Sequence, residues 1–530
     1  MSIFDAFSAI VRVGFLNRVR SYRFLVTLLL CIVAGYVFVP APDAGYVTLG
    51  WESDSVFYRG VYNSAWIGSL VALLTGVFLA LFGFYVVNDV VRLDEDSGVG
   101  QVIASAPVSN PVYTLGCAVS NFLVLACMVF IVALTALGMQ FVRGEVFVVD
   151  LWALFNPFLL VVVPLIFLVA SLAVFFETFP GLSRTSGNIL YVFLWLFGIP
   201  ILSESFDLFG INLIIESMGT AGRQVFPDLM WNSFNLGVSW GFEEGRGLEL
   251  FTWSGMDWGL GVVQDRLMLM LFAAGVALLA SLRFNRFDPA SQSLGPVDSG
   301  LEMNDVVHEV SAVPIGELGS IGEAGFDFGL VSLFLAETRL MLLEFPSIGW
   351  LAPVGVLVMF FGGLLLPVEL VRSLLLPLAW LFPVVYWSRL GCREARHSTG
   401  PLVFSSAGFV LRQFLSLWLV GVLVSLVTGG GFLLRLVFIG DFVGALALFV
   451  GALFVPSLAL CLGVWTGSSK VFEFLYVLLW YVGPFSGFAA LDFMGATGAA
   501  VADGFWRYYL LAMFVLIGLG YVGRKLQVEK

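Results

Sequence analysis

Charge is what this chain has least of. Of its 530 residues, 12% are Asp, Glu, Lys or Arg, about half the ~25% that a soluble domain carries. Lysine is scarcest, with three residues (Lys470, Lys525 and Lys530). None of them completes the Gly-x-x-x-x-Gly-Lys-[Ser/Thr] pattern that cradles phosphate, so that route to ATP hydrolysis is closed. The two histidines, His308 and His397, stand alone in polar segments and read as surface residues. With no clustered nucleophile, metal-ligand set or intramembrane acid pair, the sequence does not read as an enzyme. The formal net charge of −12 excludes a nucleic-acid binder, which needs cations against phosphates. Five cysteines, an odd number without paired spacing, exclude a disulfide framework; Cys31, Cys117, Cys127 and Cys461 sit in apolar runs and Cys392 in a polar loop.

What is present is apolar: 60% of the chain is hydrophobic, with 52 Phe and 58 Gly. The reading is an all-α polytopic membrane protein, the glycines allowing helices to approach closely in lipid. Runs long enough to cross the bilayer fall at about 22–40, 66–91, 113–141, 152–176, 187–203 and 262–282, and again at 346–367, 373–388, 409–428, 442–466, 473–489 and 506–522. The first run is no cleavable signal, because no small-residue cleavage pattern follows it and further spans do. Pro157 and Pro164 predict a kink in the fourth. Ahead of the first span, Ile3, Phe4, Phe7, Ile10, Val11, Phe15 and Leu16 alternate at helical spacing with Arg12, Arg18 and Arg20, which predicts an interfacial amphipathic helix. A similar run, Leu330–Phe345, precedes the second set.

The chain thus divides into a six-span half (1–285), an acidic flexible linker (286–329) and a second six-span half (330–530). The linker has eight acids and no Lys or Arg between 287 and 328, with a short strand conceivable around Val306–Val313. Between the fifth and sixth spans, residues 204–260 hold eight acids together with Trp231, Trp240, Trp253 and Trp258. Two readings stand: a piece dipping into the membrane interface as an exit gate, or an acidic lid with Trp anchors.

The halves read as parallel copies, since six spans each give both the same orientation. Leu190-Tyr191-Val192-Phe193-Leu194-Trp195-Leu196-Phe197-Gly198 matches Leu475-Tyr476-Val477-Leu478-Leu479-Trp480-Tyr481-Val482-Gly483 at six of nine positions. With the amino terminus inside, 17 of the 25 Lys and Arg fall on the inner side and 8 outside. That asymmetry predicts both termini cytoplasmic, and the expected location is the plasma membrane. Asp89, Arg92, Glu177 and Glu473 mark inner helix ends, whereas a proton-coupled carrier would hold such groups deep in its bundle. Asn121, Asn156 and Asn188 read as interhelical hydrogen-bond partners.

Two inner segments stand out. In the first, Arg92-Leu93-Asp94-Glu95-Asp96-Ser97-Gly98-Val99-Gly100-Gln101-Val102-Ile103-Ala104-Ser105-Ala106-Pro107 separates two spans. Ser97 is expected to cap a short helix behind three acids that suit its dipole, and Pro107 and Pro111 to interrupt it. The run Gly83-Phe84-Tyr85-Val86-Val87-Asn88-Asp89, followed by Arg92, Asp94, Gly98-Val99-Gly100, Ala104-Ser105-Ala106-Pro107, Tyr113, Leu115-Gly116 and Ser120-Asn121, resembles ABC-2 type exporter permeases. The second segment, Arg389–Gly408, aligns Val403-Phe404-Ser405-Ser406-Ala407 with Val102-Ile103-Ala104-Ser105-Ala106. It departs from the pattern where Arg393…Thr399-Gly400-Pro401 replaces Gly-Val-Gly, which leaves the second contact less well matched.

The resemblance implies a permease whose cytoplasmic segments dock on a separate ABC ATPase, a dimer in that family. ATP and Mg would then be bound by the partner chain and no cofactor by this one. Two halves would face a central path. The implied contacts are Arg92, Asp94, Glu95, Asp96, Gly98, Gly100, Val102, Ile103 and Ser105, and Arg389, Arg393, Arg396, Val403, Phe404 and Ser405. Membrane lipid is the other expected partner. A secondary carrier of the major-facilitator kind is the alternative, because it also has six plus six spans and an Asp-x-x-x-Gly pattern like Asp94…Gly98. The basic residues that follow that glycine in such carriers are missing here.

Overall fold

The computed structural model describes all residues except 1–2, 42–45, 54–55, 89, 180–181, 183–184, 199–205, 228–230, 232–233, 241–247, 285–286, 288–328, 344–350, 398, 401–408 and 530. The acidic linker, including Val306–Val313, lies outside the described residues. The chain forms two compact units, Met1–Val297 and Asp298–Lys530.

Unit one opens with α1 (Ile3–Val19) and α2 (Tyr22–Phe38), bent by 73° at Arg20-Ser21. The Ser21 hydroxyl accepts from the Phe24 amide and so starts α2 afresh. α3 (Ser64–Val87) is apolar on every face and therefore sits inside the unit. Its 24 residues reach about 36 Å, enough to cross a hydrocarbon core. Two short helices follow, α4 (Val90–Asp96) and α5 (Val99–Ser105), and then the 34-residue α6 (Asn110–Arg143). α7 (Leu151–Pro157) passes through a π-helical turn, Phe158–Val162, into α8 (Val163–Thr178). Pro157, which cannot donate a helix hydrogen bond, stands where that turn begins. α9 (Thr185–Phe193) likewise ends in a π turn, Leu194–Gly198. A 24-residue helix, Leu260–Arg283, closes the unit.

The all-α expectation needs correcting. β1 (Tyr46–Ser53) and β2 (Val56–Gly60) form an antiparallel hairpin after α2. β3 (Phe234–Trp240) pairs antiparallel with β1 and β4 (Leu248–Phe251) parallel with β2, giving the order β3-β1-β2-β4. The fold is mostly helical with a four-stranded sheet at one end of unit one. The segment 204–260 supplies half of this sheet, two of its four strands. Its helix Ile211–Val225 buries Ile214 and Met218 against the strands. Asp207 starts that helix, its carboxylate accepting from the amides of Asn212 at 3.2 Å and Leu213 at 3.0 Å. Trp51 lies at the aromatic centre, with Trp231 at 5.0 Å and Phe251 at 6.1 Å between ring centres. Arg59, 2% exposed, is held by the Glu145 carboxylate through two bonds of 2.9 and 2.8 Å. Burial pushes the Glu145 carboxyl up, but the Arg59 and Tyr62 hydrogen bonds and the Arg59 charge outweigh it and hold it below the ordinary glutamate value.

Unit two starts with the helix Leu330–Leu343, followed by Leu351–Leu365. The next span, Val368–Trp387, carries a π turn at Val371–Leu375. Phe409–Phe438, Phe442–Thr466 and Ser469–Trp480 come next, the last running into a π turn at Tyr481–Phe485; Trp506–Glu529 ends the unit. Between the last two helices Asp492 is buried and accepts from Met494 and Thr497.

Among the described residues, eight helices are long and apolar enough to cross a membrane, or nine if α1–α2 is one bent span. The chain is a multi-span membrane protein. The expected runs 22–40, 187–203, 346–367 and 473–489 are helices too, but shorter or broken by π turns.

Candidate functional site

The end of α3 opposite the sheet is where the first polar segment folds. α3 stops at Asn88, whose side chain donates to Asn188 Oδ1 at 2.6 Å. The chain then turns into α4, and the first amides of a helix lack intrahelical partners. Glu177, from the end of α8, supplies them: its carboxylate accepts from Val90 N at 3.0 Å and Val91 N at 2.6 Å. An acid 87 residues away thus caps α4. Arg18 of α1 reaches the same place, bonding Asn121 Oδ1 and the Val87 carbonyl. Asn121 and Asn188 are interhelical partners, as read from the sequence.

The α4–α5 elbow differs from expectation in its capping. Ser97 does not cap α5, since its hydroxyl donates back to the Asp94 carbonyl at 3.3 Å. Gly98 is the cap residue, with φ +75° and no side-chain bond. A non-glycine residue there is strained. Asp94, Glu95 and Asp96 occupy the last turn of α4, where the helix dipole is unfavourable to acids rather than helpful. Asp94 is compensated by the Tyr113 hydroxyl, which donates to it at 2.7 Å.

Gly100 lies under the Phe287 ring, with no room for a side chain. Ile103 packs on a core of Val90, Val91, Tyr113, Cys117, Ala118, Val174 and Phe284. The other face of the elbow is apolar and open: Leu93 is 53%, Val99 44% and Val102 68% exposed. Arg92, Glu95 and Ser105 are exposed beside them, and the Asp96 side chain lies outside the described residues, as does Asp89.

The second segment is built differently. Cys392, expected in a polar loop, is 4% exposed and its thiol faces the Ser388 carbonyl at 3.4 Å. The helix Arg393–His397 turns Arg393 and Glu394 inward. Arg393 pairs with Glu337 at 2.7 Å, and Glu394 accepts from Gln413 at 2.7 Å and Arg524 at 3.1 Å. Arg389 is half-buried. The Arg396 side chain and Val403, Phe404 and Ser405 lie outside the described residues. Glu473, expected at a helix edge, is 1% exposed.

Sequence reasoning missed Gln413 and Arg524, which bond Glu394, the bond from Tyr113 to Asp94, and the capping role of Glu177. Nothing in local spacing signals partners 19 to 130 residues away. Among the described residues no three His, Cys, Asp or Glu side chains converge on a metal-sized site. Comparison with protein-family models, with curated proteins and with solved structures found no match.

Proposed function

We propose that this chain is the membrane-spanning permease of an ABC-2 type exporter, with twelve helices as two six-helix repeats and its ATPase on a separate chain. The observation that carries this reading is the braced elbow. α4–α5 hangs from the end of α3 through Glu177, Arg18 and Tyr113, and presents Leu93, Val99 and Val102 outward. An apolar surface on a braced lever suits a contact that passes a partner's movement into the helices. Arg92, Asp94, Glu95, Asp96, Gly98, Gly100, Val102, Ile103 and Ser105 make up this lever, and Arg389 to Ser405 the second contact.

The repeat draws support from matched geometry in the two units. Tyr191 donates its hydroxyl to the Ala80 carbonyl, and Tyr476 to the Trp380 carbonyl at 2.8 Å. In each case the acceptor lies on the second expected span of the tyrosine's own half. Asp150 caps α7 through Ala153 N and Asp441 caps Phe442–Thr466 through Gly444 N, each at the fourth span. Both fifth spans end in a π turn. α1 packs on α6 as Leu330–Leu343 packs on Phe409–Phe438.

The test is co-purification of the full chain with a cassette ATPase in mild detergent. ATP turnover is expected from the complex and none from the chain alone. Val102→Asp is expected to reduce co-purification about tenfold, because burying an unpaired carboxylate in an apolar contact is costly. Turnover by the chain alone, or full co-purification with Val102→Asp, overturns the reading.

A further inference from the structure

The last helix of unit one, Leu260–Arg283, ends where the Asn110 side chain donates to the Phe284 carbonyl at 3.1 Å. Three residues on, Phe287 has φ +56°. A bulky side chain in that left-handed region is strained and stays there only where packing holds it. Its ring lies on Gly100 of α5, so close that a Cβ on the glycine would stand 2.7 Å from the ring Cδ1. The same ring meets Phe284 edge-on at 5.1 Å and Tyr113 at 5.8 Å between ring centres. Tyr113 in turn donates to Asp94 on α4. α5 depends on this contact. It has seven residues, and helices shorter than about 12 residues are marginal on their own in water. Gly100 is the residue of α5 that is buried, and Phe287 covers it.

We infer that Phe287 is a latch on the elbow. Seated, its ring holds α5 where it is found, and α5 cannot close on the ring because no space separates them. Unseated, Phe287 relaxes to negative φ and α5 loses its cover. The elbow thus has two discrete positions rather than a continuous range, as packed elements do. Strain at φ +56° offsets part of what the packing supplies, which keeps the second position within reach. Phe287 covers Gly100, whereas Leu93, Val99 and Val102 form the open face, so a partner on that face does not compete with the latch. The latch gives the lever an off position. That consequence rests on the exporter reading; the latch itself does not.

Amide hydrogen exchange of the full chain in detergent tests it, on the native protein, Gly100→Ala, Phe287→Ala and the double variant. Gly100→Ala separates the latch from local helix strength. Alanine is the better helix former, so acting on α5 alone it slows exchange. By displacing the ring it is expected instead to speed exchange of the α5 amides about fivefold, through easier local opening. Phe287→Ala is expected to do the same. The double variant is expected to exchange no faster than the faster single one, because both changes undo one contact. α3 and α6 are expected to exchange as in the native chain. Slower or unchanged exchange in Gly100→Ala overturns the latch, as does a double variant in which the two effects multiply. Should Gly100→Ala fail to fold, Phe287→Ala decides, and unchanged α5 exchange there overturns the latch. The measurement needs no ATPase, so its failure is distinct from a failure of the exporter reading.

Discussion

At the scale of single residues, two acids show how long-range polar contacts hold this chain. Glu177 caps α4 through two amides, and a charged acceptor strengthens both bonds. Glu177→Ala is expected to cost about 1–2 kcal/mol, as for loss of a helix cap, and to appear as a lower melting temperature. Glu177→Gln keeps one acceptor and is expected to cost less. Glu145 brings pH into play. Its folded value lies below the ordinary 4.5, so its bond to Arg59 stabilises the protein fully above about that pH. Stability is lost as pH falls through the lowered folded value. The advantage of the native chain over Glu145→Gln is therefore expected to shrink on acidification and to stay constant from pH 5 to 8, which thermal melts of both proteins measure. Asp492, which burial pushes above the ordinary aspartate value, is common to both proteins and cancels in the difference.

At the scale of elements, apolar runs were legible and polar pairings were not. α3, α6 and Phe442–Thr466 announce themselves because each is apolar for longer than a bilayer is thick. The sheet was missed because Val56–Gly60 and Leu248–Phe251 are short, and the β1–β3 and β2–β4 pairings span most of the first unit. In hindsight Val47, Leu49 and Trp51 recur with period two, a strand pattern, although Thr48 and Gly50 between them are buried as well. The elbow was legible as a segment between spans, but its cap was assigned to Ser97 because the αL turn at Gly98 leaves no local signature beyond the glycine itself. Tyr191 and Tyr476, which align in the sequence, bond through their hydroxyls to the carbonyls of Ala80 and Trp380. Tyr191→Phe and Tyr476→Phe are each expected to cost about 1 kcal/mol, since each leaves one buried carbonyl short of a donor. The two sites lie in different units, and the double variant is expected to add within ~0.5 kcal/mol. Denaturant-midpoint shifts check this. A cost at one site alone would show that the matched tyrosines do not do equivalent work.

At the scale of the whole molecule, orientation in the membrane is the central question, and unit one offers two clean reporters. Val102 on the elbow is 68% exposed and Val148, between α6 and α7, is 81% exposed. They lie toward opposite ends of α3, because Val148 receives a bond from Ser64 at its start while the elbow follows its last residue. The basic residues divide in the same way within this unit. Arg12 and Arg18 lie on α1, which meets the elbow, whereas Arg59 and Arg266 lie by the sheet and the Asp207 turn that feeds it. Positive charge is retained on the cytoplasmic side of membrane proteins, so the 17-to-8 excess predicts the elbow inside and the sheet outside. Cys392 is too buried to report on this. In a background with all five native cysteines replaced, Val148→Cys is expected to react with a membrane-impermeant thiol reagent in intact cells. Val102→Cys is expected to react only after the membrane is opened. Both substitutions sit on exposed side chains, where replacements usually change stability by less than ~0.5 kcal/mol, so folding does not confound the result. Labelling of Val102→Cys in sealed cells, with Val148→Cys protected, would invert the orientation, and it would also remove the elbow from the reach of any cytoplasmic ATPase. The two cysteines thus test the direction of insertion and the partner's access in one measurement.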